Sequence, residues 1–169
     1  KKRFSSMLLG HMLTVEENQV SGRVKLKYTI KNREITELII PVPEEINIIS
    51  VDSYHMEDHK LLKGNKGRFL KILYNQARIG DINIDISYEL ALGLETDEIN
   101  VPVFHNSTIN RFKGFLAVES LINADVTPTA SSELVEIPSS DFKLMGEKIG
   151  SNPLVVSYAY SKPYEFMLK

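Results

Sequence analysis

Two stretches of strict alternation decide what this chain can fold into. Val24, Leu26, Tyr28 and Ile30 alternate with Lys25, Lys27, Thr29 and Lys31. Ile82, Ile84, Ile86, Tyr88 and Leu90 alternate with Asp81, Asn83, Asp85, Ser87 and Glu89. A period of two over eight or more residues gives a strand with one dry and one wet face; a helix would scatter the same side chains around its circumference. The dry faces are β-branched and aromatic, which suits a pleated, half-buried surface.

Weaker strand signals fill much of the chain. Ile35–Pro43, Ile46–Tyr54, Arg68–Tyr74, Ile99–Phe104, Gly114–Ser120, Val126–Thr129, Leu134–Ile137, Leu154–Tyr160 and Phe166–Leu168 read as strands. Ile48-Ile49 breaks the alternation, as one extra residue in a β-bulge does. Lys63-Gly64-Asn65-Lys66-Gly67 reads as a hairpin loop, because Gly and Asn accept positive φ. Turn signals recur about every 8–12 residues, the spacing of a sandwich or barrel. The sole helical signal is short: Ser139 or Ser140 as N-cap, then Asp141–Met145, stopped by Gly146. The expected fold is therefore all-β, an antiparallel β-sandwich with Ig-like or related topology and at most one short helix near 140–146. It is expected to form one domain over 1–169, with a subdivision near Gly93–Glu98 as the alternative.

With 169 residues, 43% hydrophobic and 25% charged, the composition is that of a globular domain. The formal net charge of -2, from 20 basic and 22 acidic residues, gives no long-range pull toward nucleic acid or anionic lipid. Lys1, Lys2 and Arg3 cluster at a terminus and read as a solvated end. Cysteine is absent, which removes disulfides, thiolate metal sites and cysteine nucleophiles. No run approaches the roughly 18 apolar residues that span a bilayer, and no signal-peptide pattern is present. The chain starts without methionine and ends on a strand pattern, so a fragment of a longer protein is expected.

Few polar groups suggest chemistry. His55 and His59 flank Met56-Glu57-Asp58 at the spacing of two zinc ligands on a helix. Met56 occupies the place where a zinc-protease motif needs glutamate, and in an extended chain residues four apart lie roughly 13 Å from one another. A solvated loop entering a polar hairpin is the expected reading, with His55 and His59 as metal-ligand candidates. Asp81, Asp85 and Glu89 form an acidic row whose members a strand spaces about 7 Å apart, too wide for ready-made calcium ligation. Cross-strand pairing with Lys25 and Lys27 is the simpler expectation. Asn106-Ser107-Thr108 matches the N-glycosylation pattern and reads as a loop. His105 beside it has no evident partner. No Gly-x-Ser-x-Gly elbow occurs, and Gly64–Gly67 lacks the Walker spacing. Tyr158, Tyr160 and Tyr164 read as core and rim residues of the last hairpin, with an aromatic platform for ligand as the alternative. No catalytic residue and no cofactor are expected.

The strand leading into Leu38-Ile39-Ile40-Pro41-Val42-Pro43, then Ile49-Ser50-Val51, a hairpin, Gly80 and Ser87-Tyr88-Glu89 resembles β-sandwich domains of large bacterial membrane-anchored envelope proteins. It also resembles the inter-alpha-trypsin-inhibitor N-terminal type of domain. Gly114–Glu119, Val135–Pro138, Tyr158-Ala159-Tyr160 and Pro163-Tyr164 are similar to a later part of the same envelope proteins. The resemblance implies an extracytoplasmic, non-enzymatic module and offers no functional residues. The expected function is a structural or protein-interaction module of a larger bacterial envelope protein. Its partners would be other domains of that protein or another envelope protein, without nucleic acid and without membrane insertion of this segment. The alternatives are a carbohydrate- or peptide-binding sandwich and the accessory domain of a secreted metallopeptidase.

Overall fold

A computed structural model describes residues 4–90, 98–122, 126–142 and 154–169. The strands are β1 (Phe4–Val15), β2 (Val20–Val42), β3 (Ile46–Ser53), β4 (Met56–Gly64), β5 (Gly67–Leu90), β6 (Ile99–Asn100), β7 (Phe112–Ser120), β8 (Pro128–Ala130), β9 (Val135–Glu136), β10 (Leu154–Tyr160) and β11 (Phe166–Leu168). The larger sheet runs β3-β5-β2-β1-β7-β10-β9, with β4 also on β5; the smaller runs β6-β11-β8. The fold is all-β, two sheets in a sandwich. One pair, β1 with β7, is parallel; the other strand pairs are antiparallel.

Most of the expected strands are present, and the differences have physical reasons. The alternating segment at 24–31 and the segment at 35–43 are one strand, β2, bent at the exposed run Lys31–Glu34. Asn32 takes φ 77 there. β5 likewise joins the two segments expected at 68–74 and 81–90, bending before Gly80, whose φ is 86. The β3 register shifts between Ile48 and Ser50, so Ile49 is the bulged residue, and it stands 60% exposed. β1 has no alternation to reveal it, because Leu9 and Leu13 face the main core while Met12 packs in a second small cluster with Ala117 and Phe142. A strand covered on both faces reads as a continuous apolar run. β4 escapes notice for the opposite reason: it is an edge strand, exposed from Glu57 to Gly64. The helix expected near 140–146 is a single 3-10 turn at Ser139–Asp141; residues 143–146 of that segment lie outside the described residues. So do Lys1, Lys2 and Arg3, and all but Glu98 of the subdivision near 93–98.

One core unites both sheets. Tyr28, Ile84 and Ile86 of the larger sheet and Phe166 and Leu168 of the smaller belong to the same buried cluster. The distal halves of β2 and β5 curl over it, since Leu38, Ile40, Leu70 and Ile72 join that cluster. Burying side chains of this size stabilises by about 1.5–3 kcal/mol each.

Candidate functional site

The polar side chains that invite a functional reading fall into three settings: the wet face of β2 and β5, the corner between β3 and β4, and a buried aromatic node.

On the wet face, the register sets Lys25 opposite Asp85 and Thr29 opposite Asp81. The Asp85 carboxylate takes Arg23 at 3.1 Å and Lys25 at 3.4 Å; Asp81 takes Lys27 at 3.7 Å and accepts from the Thr29 hydroxyl at 2.8 Å. Glu89 accepts from the Gln19 amide at 2.7 Å. The acidic row is therefore a cross-strand charge ladder. A shallow cleft of about 290 Å³ beside it is lined by Lys25, Asp52, Ser53 and Asp85. Across the described residues, no three His, Asp or Glu side chains gather as metal ligands do.

His55 and His59 lie at and beyond a corner. His55 holds φ 65 in the turn between β3 and β4, its ring 4.0 Å from that of Tyr54, and its carbonyl accepts from the Asn75 N–H. His59 is in the exposed strand β4, paired in register with Ile72. Neither belongs to a group of three metal-ligating side chains among the described residues.

The tyrosines belong to the third setting. Tyr158, Tyr160 and Tyr164 are all buried. The Tyr160 hydroxyl donates to the Phe104 carbonyl at 2.7 Å and Tyr164 to the Pro102 carbonyl at 3.3 Å. Burial pushes the Tyr160 and Tyr164 phenols well above their ordinary range. The Tyr160 and Tyr164 hydroxyls are thus turned to backbone carbonyls of the core, while Tyr164 also lines a cleft of about 400 Å³ with Asn100, Ser131 and Phe166. Asn106 is buried as well. Its amide donates to the Tyr28 hydroxyl at 3.3 Å, and its carbonyl oxygen accepts from the Thr108 hydroxyl at 2.6 Å. The nitrogen a glycan would need faces the core. His105 bonds through Nε2 to the Ser161 carbonyl at 3.0 Å.

The node has a centre that sequence reading passes over. His11, fully buried on β1, shares a 2.5 Å hydrogen bond with the Tyr88 hydroxyl, its donor set by the imidazole tautomer. The ring meets Tyr88 and Phe104 edge-on at 5.6 and 5.1 Å. Nδ1 has no partner. Burial lowers the imidazole to about 3, so it is neutral near pH 7. Two glycines admit the rings around it. Gly22 sits opposite Tyr88 and Gly114 opposite Tyr160; a Cβ would fall 2.2 Å from the Tyr88 ring and 2.4 Å from the Tyr160 ring. The signal in the sequence is a lone histidine inside Leu8-Leu9-Gly10-His11-Met12-Leu13, at the same parity as Leu9 and Leu13. The rings of the node are buried, and its histidine is neutral near pH 7.

Neither a protein-family model nor a curated protein matches the chain. Solved structures share its fold. Yeast LTA4 hydrolase in complex with bestatin matches over 99% of this chain and 29% of its own, with TM-score 0.59 and 11% identity. Native leukotriene A4 hydrolase from Saccharomyces cerevisiae matches with TM-score 0.58, 11% identity and the same coverage. A two-domain M1 zinc metallopeptidase bound to L-tryptophan matches with TM-score 0.50 and 9% identity, over 99% of this chain and 43% of its own. The chain thus spans less than half the length of each.

Proposed function

We propose that this domain is a non-catalytic accessory module of a larger protein, working beside a zinc-metallopeptidase domain. The observation that carries the reading is the coverage: virtually the whole chain matches a minor part of each peptidase, 29% of one and 43% of another. The single buried core that joins both sheets fits a scaffolding role. The inward-facing tyrosines weigh against the carbohydrate-binding alternative. By its resemblance to envelope proteins, we assign the larger protein to the extracytoplasmic side.

The test compares the purified 169-residue chain with the parent polypeptide. The isolated chain is expected to hold no stoichiometric zinc by elemental analysis and to leave aminoacyl p-nitroanilides intact. The parent is expected to hold zinc and to release p-nitroaniline. Hydrolysis by the isolated chain, or a parent without zinc, would overturn the reading. A phosphatase reporter fused to the parent, active after export alone, checks the compartment.

A further inference from the structure

The net charge of -2 conceals a local imbalance. From His59 to Gly80 there are six lysines and arginines and no acidic residue. This stretch is most of β4, the turn and the distal half of β5. Two of the cations are committed within the fold near the tip: Arg68 donates to the Pro43 and Ile46 carbonyls, each at 2.7 Å, and Lys71 pairs with Glu37 at 2.8 Å. Arg78 is turned to the Tyr54 carbonyl and the Tyr74 ring. Lys60, Lys63 and Lys66 make no ion pair among the described residues and are exposed.

Apolar side chains stand among these lysines. Leu61 is 45% and Leu62 43% exposed. Neighbours on a strand point to opposite faces, so the hairpin end carries an exposed leucine on each. Leu62 lies opposite Phe69, whose ring lies 3.4 Å from where a Gly64 Cβ would stand, at the tip. In the next row of the same face, Lys60 lies opposite Lys71. Like charges placed across a strand pair repel. Lysines on an edge strand also protect it from unwanted pairing, but that device accounts neither for the exposed leucines nor for the lack of acid over the whole stretch.

We propose that the β4–β5 hairpin docks tip-first on an anionic bilayer surface. Lys60, Lys63 and Lys66 meet phosphate headgroups, and Leu61, Leu62 and Phe69 enter the interfacial layer. Cations rimming apolar side chains are what such a layer selects. A folded acidic partner would cover one face of the hairpin and leave the other leucine in water; a fluid interface covers both. The docking is peripheral, and no described helix is long and apolar enough to cross a membrane. It is independent of the peptidase reading.

The test is cosedimentation of the 169-residue chain with vesicles of phosphatidylglycerol and, separately, of phosphatidylcholine. Binding is expected on the first and not on the second, weakening as salt rises. Each free lysine is expected to contribute about five-fold, so the K60E/K63E/K66E variant binds on the order of a hundredfold less. The L61S/L62S variant is expected to bind several-fold less with an unchanged salt dependence. Equal binding to both lipids, or a charge-reversed variant that binds as the parent does, overturns the proposal. If that variant does not fold, the salt titration of the unaltered chain decides, and salt-insensitive binding overturns it. Binding to polyglutamate in place of phosphatidylglycerol would assign the hairpin to an acidic polypeptide and overturn the lipid.

Discussion

The proximal part of the β2–β5 pair and the β4–β5 hairpin share strand β5 and treat charge in opposite ways. Proximally, Arg23, Lys25 and Lys27 face Asp85 and Asp81, and the wet surface is neutralised within the sheet. In the hairpin, Lys60 and Lys63 of β4 and Lys66 of the turn make no ion pair among the described residues and stand among exposed leucines. Both halves contribute their inner faces to one core. The difference lies in the surface that each presents to solvent. One is complete as it stands, and the other has its charges and its apolar side chains directed outward. The proximal half should respond to mutation through stability, and the hairpin through binding.

The largest expected effect comes from the proximal half, where Tyr88 crosses Gly22. A Cβ at residue 22 would fall 2.2 Å from the Tyr88 ring, far inside contact distance, and the ring is held by His11. Gly22→Ala is expected to destabilise by about 3 kcal/mol, the upper range for overpacking. Gly114→Ala, under Tyr160, should cost about the same. Urea denaturation measures both. A loss under about 1 kcal/mol would mean that the tyrosines move aside, and that the node is looser than its geometry.

Next in size is the pH dependence of His11. Burial lowers its imidazole to about 3 from the ordinary 6.5. As pH falls through 6.5 the unfolded chain takes up a proton that the native state refuses until about 3. The unfolded state binds more protons in that window, so this group removes stability as pH falls, by up to about 1.4 kcal/mol per pH unit. His11→Gln keeps a hydrogen-bonding group for Tyr88 and abolishes the titration. Between pH 6.5 and 5 the unaltered chain should lose roughly 1–2 kcal/mol more than the glutamine variant. Parallel urea midpoints for the two would show that His11 does not report on the core.

How far these two halves were legible in the sequence follows from their burial. Strands with one wet face announce themselves, and 24–31 and 82–90 did, down to the pairing of Lys25 with Asp85 and the bulge at Ile49. β1 is buried on both faces and β4 on neither, so period-two patterning marks neither. The polar run Lys31–Glu34 reads as a break, although the strand continues through it around a bend. His11 was hidden because a single imidazole in an apolar run carries no spacing signal, and its meaning comes from Tyr88, 77 residues away. The basic stretch was visible all along, but net charge averages it against acids elsewhere in the chain.

The smallest effects sharpen the comparison most, because their signs differ between the halves. Asp85→Asn removes the carboxylate shared by Arg23 and Lys25 at a half-exposed site. A loss of about 0.5–1 kcal/mol is expected, near the upper end for surface pairs, and high salt should shrink it. Lys60→Glu acts on the other half. It turns the Lys60–Lys71 opposition into an attractive cross-strand pair, with an expected gain of about 0.2–0.5 kcal/mol. A fold that needed Lys60 would lose stability instead. Stability that rises while phosphatidylglycerol binding falls would separate what this lysine does for the fold from what it does for docking.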